Sequence, residues 1–284
     1  DQLAEDYLED SRRYIELYSE QIGAYPFSGF SVVASPLPTG FGMPTLTYIG
    51  AQVLQLPFIR ATSLGHEVLH NWWGNGVYAD YATGNWSEGF TTFMADYFYK
   101  ERDSAVAARE VLLGWLRDFA AVPAGEHRPL AMFRSRTHGA AAAVGYGKAA
   151  MVFFMLRDAI GEDAFNRGIR LFWEQHKFKV ASWDDLRAAF EQAANRPLKT
   201  FFGQWLQRAG GPVPAIAEAR VQNANGKTAL ALTLTQTAPP YALRVPVEIV
   251  IDGRSQTRLI HFDNERQTAK LELDAVPEGV RLDP

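Results

Sequence analysis

The sequence contains no cysteine, so disulfide bonds and zinc–thiolate sites are both excluded. It also lacks an excess of basic residues: the net charge is -4, which provides no positive field for nucleic acid or an anionic membrane. No apolar run reaches the roughly 18 residues of a membrane helix, and the nearest approach, from Gly139 to Leu156, is interrupted by glycines and a lysine. We therefore expect no nucleic-acid partner and no membrane segment, and we predict a buried helix in this stretch.

The residues that are present predict two folded units. Hydrophobic residues make up 47% of the 284 residues and aromatic residues 13%, which is ample for a packed core. Apolar spacing predicts helices over residues 3–22, 104–119 and 151–160, three more within 162–208, and short strands at 30–34 and 45–49. Beyond Pro214 the pattern becomes alternating, with a turn at Asp252-Gly253. The sequence thus predicts an α+β fold, with a mostly helical domain at residues 1–213 and a small all-β domain at 214–284.

The most informative stretch reads H-E-V-L-H at residues 66–70 and W-S-E-G-F at residues 86–90. Residues four apart lie on one face of a helix, so His66 and His70 can bind one ion, with Glu67 beside it as a proton acceptor. Glu88 begins a second apolar helix, where a buried carboxylate needs a partner. Two imidazoles, one carboxylate and an open position are typical of catalytic zinc. We predict one Zn²⁺ ion on His66, His70 and Glu88; the alternative is a surface pair of histidines.

The pattern H-E-x-x-H-x-W-x-G-N followed by W-x-E-G-F resembles the gluzincin metallopeptidases of the alanyl aminopeptidase (aminopeptidase N) family. The likeness extends over residues 1–212, although the loop between His70 and Glu88 is one residue shorter than is usual in the family. The resemblance implies a thermolysin-like zinc-peptidase domain at residues 1–213, a β-sandwich domain at 214–284, and a peptide substrate. Because the chain starts at Asp1 without a methionine, we also expect an additional N-terminal domain ahead of it. The compartment stays open.

Two further segments resemble the family's motifs. Y-G-K-A at residues 146–149 is similar to the family's Tyr-x-Lys-Gly segment, which implies that Tyr146 donates its hydroxyl to the oxyanion of the tetrahedral intermediate; the alternative is a tyrosine that only packs. The family's G-x-M-E-N strand, whose Glu holds the substrate α-amine, corresponds to G-F-G-M-P-T at residues 40–45, where the Glu and the Asn are absent.

The predicted function is therefore zinc-dependent peptide hydrolysis of the aminopeptidase type, with two alternatives. In the first alternative the chain is an endopeptidase or oligopeptidase, because the amine-binding Glu is absent. In the other alternative it is a zinc-holding domain that binds peptides or partners without cutting them. For the arginine-rich stretch at residues 123–138, a polar loop is the preferred interpretation over substrate binding.

Overall fold

The computed structural model describes residues 2–37, 40–224 and 227–282. Residues 38–39, which lie between the strands predicted at 30–34 and 45–49, are outside the described part. The chain forms two compact units, Asp1–Ala209 and Gly210–Pro284. Helices and sheets occur together, which confirms the mixed composition predicted from the sequence.

The first unit is mostly helical. The helices within the described residues, in chain order, are α1 (Gln2–Gln21), α2 (Pro57–Ala61), α3 (Ser63–Leu69), α4 (Ser87–Thr91), α5 (Phe98–Asp103), α6 (Ala105–Ala120), α7 (Gly139–Ala142), α8 (Ala149–Ile160), α9 (Glu162–His176), α10 (Trp183–Ala194) and α11 (Lys199–Gln207). A π-helical segment, Thr92–Tyr97, joins α4 to α5, and another, Ala143–Lys148, joins α7 to α8. The stretch Gly139–Ile160 is long and apolar enough to cross a membrane, but half of its most apolar 18-residue window is buried, as in a core helix.

A three-stranded sheet stands beside these helices. It consists of β1 (Ser31–Ser35), β2 (Gly40–Met43) and β3 (Leu46–Gly50) in the order β1-β3-β2, so β2 is an edge strand. β1 is parallel to β3, and β2 is antiparallel to it. Pro44 falls in the turn between β2 and β3, where its missing N–H breaks no ladder bond. The short strands β4 (Tyr78–Ala79) and β5 (Val180–Ala181) form a separate parallel pair.

An aromatic core supports the first unit. The side chains of Trp72, Trp73, Trp86, Phe90 and Phe153 are each below 2% exposed. The rings of Phe90 and Phe153 stack with centroids 4.4 Å apart, which links α4 to α8. These contacts fix the helices that carry the predicted site residues.

The second unit contains antiparallel strands. They are β6 (Ala215–Ala224), β7 (Lys227–Thr235), β8 (Leu243–Ile251), β9 (Arg254–Phe262), β10 (Arg266–Leu273) and β11 (Gly279–Leu282), in two sheets ordered β10-β7-β6 and β11-β8-β9. Both sheets contribute to one hydrophobic cluster, including Leu232, Val247 and Phe262. The β8–β9 hairpin turns at Asp252 and Gly253, both with positive φ, as the sequence predicts.

Candidate active site

The two histidines are presented by the short helix α3. His66 lies in its last turn, and His70 is the residue that caps its C-terminal end. The opposite face of α3 is fully buried through Leu64 and Val68, and Leu69 on its flank is fully buried as well, so the helix cannot rotate without exposing them. The imidazole rings lie with centroids 4.8 Å apart, and both side chains are about seven-eighths buried.

Hydrogen bonds at Nδ1 determine where the two imidazoles direct their free lone pairs. Nδ1 of His70 is 2.8 Å from the carbonyl oxygen of Trp73, which can only accept, so Nδ1 carries the proton. Nδ1 of His66 is 2.9 Å from a carboxylate oxygen of Asp96 and is a donor in the same way. In the neutral rings, both Nε2 atoms are then acceptors, and they lie 3.2 Å apart. Two lone pairs at this distance repel each other unless a cation lies between them.

Glu88 supplies the third donor at the same point. It lies in the first turn of α4, and its Oε2 atom is 3.3 Å from Nε2 of His70 and 3.6 Å from Nε2 of His66. Burial alone would raise the pKa of Glu88, but the two histidines lower it well below its usual range. Burial likewise opposes the charged form of His66, whereas Asp96, Glu88 and Glu67 raise its pKa well above the ordinary value. The local field therefore favours a cation here, and the three donor atoms, all within 4.8 Å of one another, can hold one metal ion.

Glu67 lies beside these donors, against the edge strand β2. A Cβ atom built on Gly42 would lie 2.5 Å from Oε2 of Glu67, closer than real Cβ contacts permit. Glycine at this position therefore lets the strand backbone approach the carboxylate directly. The arrangement places an extended edge, with unpaired backbone groups, next to a candidate proton acceptor.

Tyr146 comes from the second π-helical segment and reaches the same place. Its ring is nearly parallel to that of His66, with centroids 6.4 Å apart. Burial raises the pKa of its hydroxyl, and the negative charge of Glu88 raises it further, so the group stays protonated and can donate. The helices approach closely here, because a Cβ on Gly89 would lie 2.2 Å from the Cβ of Ala149.

All five predicted site residues line one cavity of about 960 Å³. The sequence analysis missed Asp96, which orients His66 and lines the same cavity. Eight positions of ordinary α-helix would leave Asp96 about 80° away from Glu88 around the axis. The wider π-helical turn at Thr92–Tyr97 reduces that angle, and no spacing rule for an α-helix would have found the pair. Lys100 and Arg136 also line the cavity and were not predicted to do so.

Comparison with known proteins finds aminopeptidases that are similar in sequence to this chain. Glutamyl aminopeptidase of Rattus norvegicus is 25% identical over 84% of this chain and 27% of its own length. Aminopeptidase M1-A of Oryza sativa is 30% identical over 54% of this chain and 18% of its own, and aminopeptidase N of Escherichia coli is 27% identical over 66% and 22%. The chain therefore spans only about a quarter of the length of these relatives.

A solved structure shares the fold. Aminopeptidase A of Legionella pneumophila, crystallised in complex with aspartic acid, matches with a TM-score of 0.67 at 18% identity, over 99% of this chain and 33% of that one. The sequence profile of the peptidase family M1 domain matches residues 60–205, just over half of the 284 residues. The resemblance predicted from the H-E-x-x-H and W-x-E-G-F motifs is thereby confirmed: this chain belongs to peptidase family M1.

Proposed function

We propose that this chain is a zinc-dependent metallopeptidase that hydrolyses peptide bonds, with aminopeptidase-like activity. The observation that carries the proposal is the convergence of His66, His70, Glu88, Glu67 and Tyr146 on one cavity. Two ligands about 2.0–2.1 Å from zinc at a tetrahedral angle lie roughly 3.4 Å apart. The three donor pairs here, at 3.2, 3.3 and 3.6 Å, agree with that spacing.

Each residue has a chemical role in this proposal. Zn²⁺ bound by His66, His70 and Glu88 would supply Lewis acidity and a nucleophilic water near neutral pH. Glu67 accepts the proton of the attacking water and passes it to the leaving amine. The hydroxyl of Tyr146 donates to the oxyanion that develops on the scissile carbonyl, an interaction worth about 3–4 kcal/mol in other hydrolases.

The edge strand and the two units complete the proposal. β2 would hold the peptide in an extended conformation through its unpaired backbone groups. We further propose that residues 1–213 form a thermolysin-like catalytic domain and residues 214–284 a β-sandwich domain with a structural role. Two three-stranded sheets that contribute to one hydrophobic cluster support the second assignment.

Mass spectrometry of a peptide mixture incubated with the zinc-loaded protein tests the activity. We expect new peptide termini, loss of cleavage on chelation, and recovery on adding Zn²⁺. Glu67→Gln should keep the metal and lose the cleavage, since it removes only the proton acceptor. Intact peptides in the presence of bound zinc would instead favour a domain that binds peptides or partners without cutting them.

An endopeptidase or oligopeptidase is the second candidate, and the edge strand favours it. β2 ends at Met43 and is followed by Pro44, so the strand carries no carboxylate that could bind a substrate α-amine. Among the described residues, the carboxylates that line the cavity are Glu67, Glu88 and Asp96, each with a role at the metal site.

A further inference from the structure

The cavity of the candidate active site contains two cationic side chains that the peptidase chemistry does not use, Lys100 and Arg136. Its carboxylates already have roles at the metal site: Glu88 is a metal donor, Asp96 orients a metal donor, and Glu67 is the proton acceptor. A divalent cation at the site would add further positive charge. The cavity therefore offers an approaching ligand more free positive charge than free negative charge, which favours a ligand that carries a carboxylate over one that carries an amine.

Arg136 differs from the other arginines of its loop. Arg128 donates to two carbonyls of that loop, at 2.8 and 2.9 Å. Arg134 donates to carbonyls of its own loop at 2.8 and 3.0 Å and to the carbonyl of Ala82 at 3.0 Å. Within the described part of the chain, Arg136 makes no hydrogen bond or ion pair, and its side chain is exposed to the cavity. Its guanidinium donors are thus available to a ligand.

The position of Arg136 is also specific. It lines both the catalytic cavity and an adjoining cavity of about 680 Å³, and the two cavities share Trp115 and Tyr146 as well. Its charge is close enough to Tyr146 to oppose the increase in pKa that burial causes there. A ligand group at Arg136 would therefore lie near the residues that surround the scissile bond.

We propose that Arg136 binds a carboxylate of the substrate peptide on the side of the catalytic cavity, so that the cleft selects its ligand by a negative charge; the adjoining cavity also contains the carboxylates of Asp118 and Glu126. The planar guanidinium matches a carboxylate through two parallel hydrogen bonds, and Lys100 adds positive potential in the same cavity. The carboxylate is either the C-terminus or an acidic side chain, since the same chemistry recognises both. That the ligand is a peptide rests on the proposed function.

Isothermal titration calorimetry on the zinc-loaded Glu67→Gln protein tests this, because the peptides stay intact. The probes are N-acetylated alanine peptides of three classes. The first is amidated at its C-terminus and neutral, and the second ends in a free carboxylate. The third is amidated and carries one glutamate, placed at successive positions along the peptide. We expect one carboxylate-bearing class to bind about tenfold or more tightly than the neutral peptide, the usual range for a hydrogen bond to a charged group. The class that binds more tightly identifies the source of the carboxylate.

Variants in the same background locate the effect. Arg136→Met should abolish the preference without changing the affinity for the neutral peptide, and Arg136→Lys should keep part of it. Arg117→Met is the control, because Arg117 is exposed on α6 and lines neither cavity. Equal binding of all probes, or an unchanged preference in Arg136→Met, would overturn the proposal.

The two proposals fail in different ways. A carboxylate preference in a protein that never cleaves peptides, even with Glu67 in place, would refute the peptidase function and leave the Arg136 site standing. Cleavage of peptides with no carboxylate preference would refute the Arg136 site alone.

Discussion

At the scale of single residues, Asp96 determines which nitrogen of His66 is free to bind a metal. Its carboxylate accepts from Nδ1 at 2.9 Å and keeps Nε2 unprotonated. We expect Asp96→Ala to lower zinc affinity about 10- to 100-fold, and Asp96→Asn to lower it less, because the amide oxygen still accepts. Equilibrium competition with a chelating dye measures this, and Asp103→Asn is the control, since Asp103 is exposed and outside the cavity. Unchanged affinity in Asp96→Ala would remove Asp96 from the site.

Gly42 lets β2 approach Glu67, and this approach can be tested by adding one methyl group. In Gly42→Ala the new Cβ would lie 2.5 Å from Oε2 of Glu67, so the strand or the carboxylate must move. A displacement of about 1 Å can reduce kcat/KM about 100-fold. The amount of bound zinc should be unchanged. Gly40→Ala is a matched control on the same strand, because its Cβ would meet only the carbonyl oxygen of Tyr48, at 3.9 Å. Equal activity of the two variants would contradict the proposed role of this approach.

At the scale of elements, the turn between β2 and β3 is strained and is held by Asn71, which follows the C-terminal end of α3. Thr45 has φ of 67°, a conformation that is unfavourable for a β-branched residue. Its N–H donates to Oδ1 of Asn71 at 2.9 Å, and the amide of Asn71 donates to the carbonyl of Val68. We expect Thr45→Gly to stabilise the protein by about 1 kcal/mol and Thr45→Ala by less. Thermal unfolding measures the series, and a lower Tm for Thr45→Gly would show that the threonine side chain contributes more than the strain removes.

Elements with a regular apolar period were predictable from the sequence. The helices expected over residues 3–22 and 104–119 correspond to α1 (Gln2–Gln21) and α6 (Ala105–Ala120). The start of α10 was predictable as well, because Ser182 and Asp185 form a capping box there. These signals are local, since they depend on neighbours within one or two helical turns.

The π-helical segments could not be predicted in this way. A single extra residue in a helix leaves the apolar pattern on either side intact but changes the direction of every side chain beyond it. Asp96 and Tyr146 both lie in such segments. Tyr146 was found only through its family motif, whereas Asp96 had no such motif. The direction of Arg134 likewise depends on a part of the chain distant in sequence, because its guanidinium donates to the carbonyl of Ala82.

At the scale of the whole first unit, a buried lysine should make stability depend on pH. Lys148 is 3% exposed, and burial together with the charge of Arg208 lowers its pKa to about 8. Between that value and the ordinary pKa of about 10.4, the unfolded chain holds the proton and the folded chain does not. The free energy of unfolding should therefore rise with pH in this window, by at most about 1.4 kcal/mol per unit.

Urea unfolding at pH 8 and 9.5, followed by tryptophan fluorescence, checks this rise. All 7 tryptophans lie within Asp1–Ala209, so the signal reports the first unit alone. A tyrosine of the unfolded chain, with pKa near 10, is roughly a quarter ionised at pH 9.5, but the parent and the Lys148→Met variant share this contribution and it cancels between them. Lys148→Met should abolish the rise, and equal slopes in the variant and the parent would contradict the assignment.

The specificity of the whole molecule depends on whether a substrate amine is recognised. β2 lacks the glutamate that holds the α-amine in the resembling family, so the site has lost a charge-assisted hydrogen bond worth about 1.5–3 kcal/mol. The endopeptidase or oligopeptidase candidate predicts weak activity on single amino-acid anilides. For longer peptides, N-acetylation should reduce kcat/KM less than about tenfold, since backbone pairing along β2 supplies the remaining binding energy. The measurement compares free and acetylated forms of one peptide. A loss of about 100-fold on acetylation would show that another group binds the amine, and it would favour an aminopeptidase over an endopeptidase.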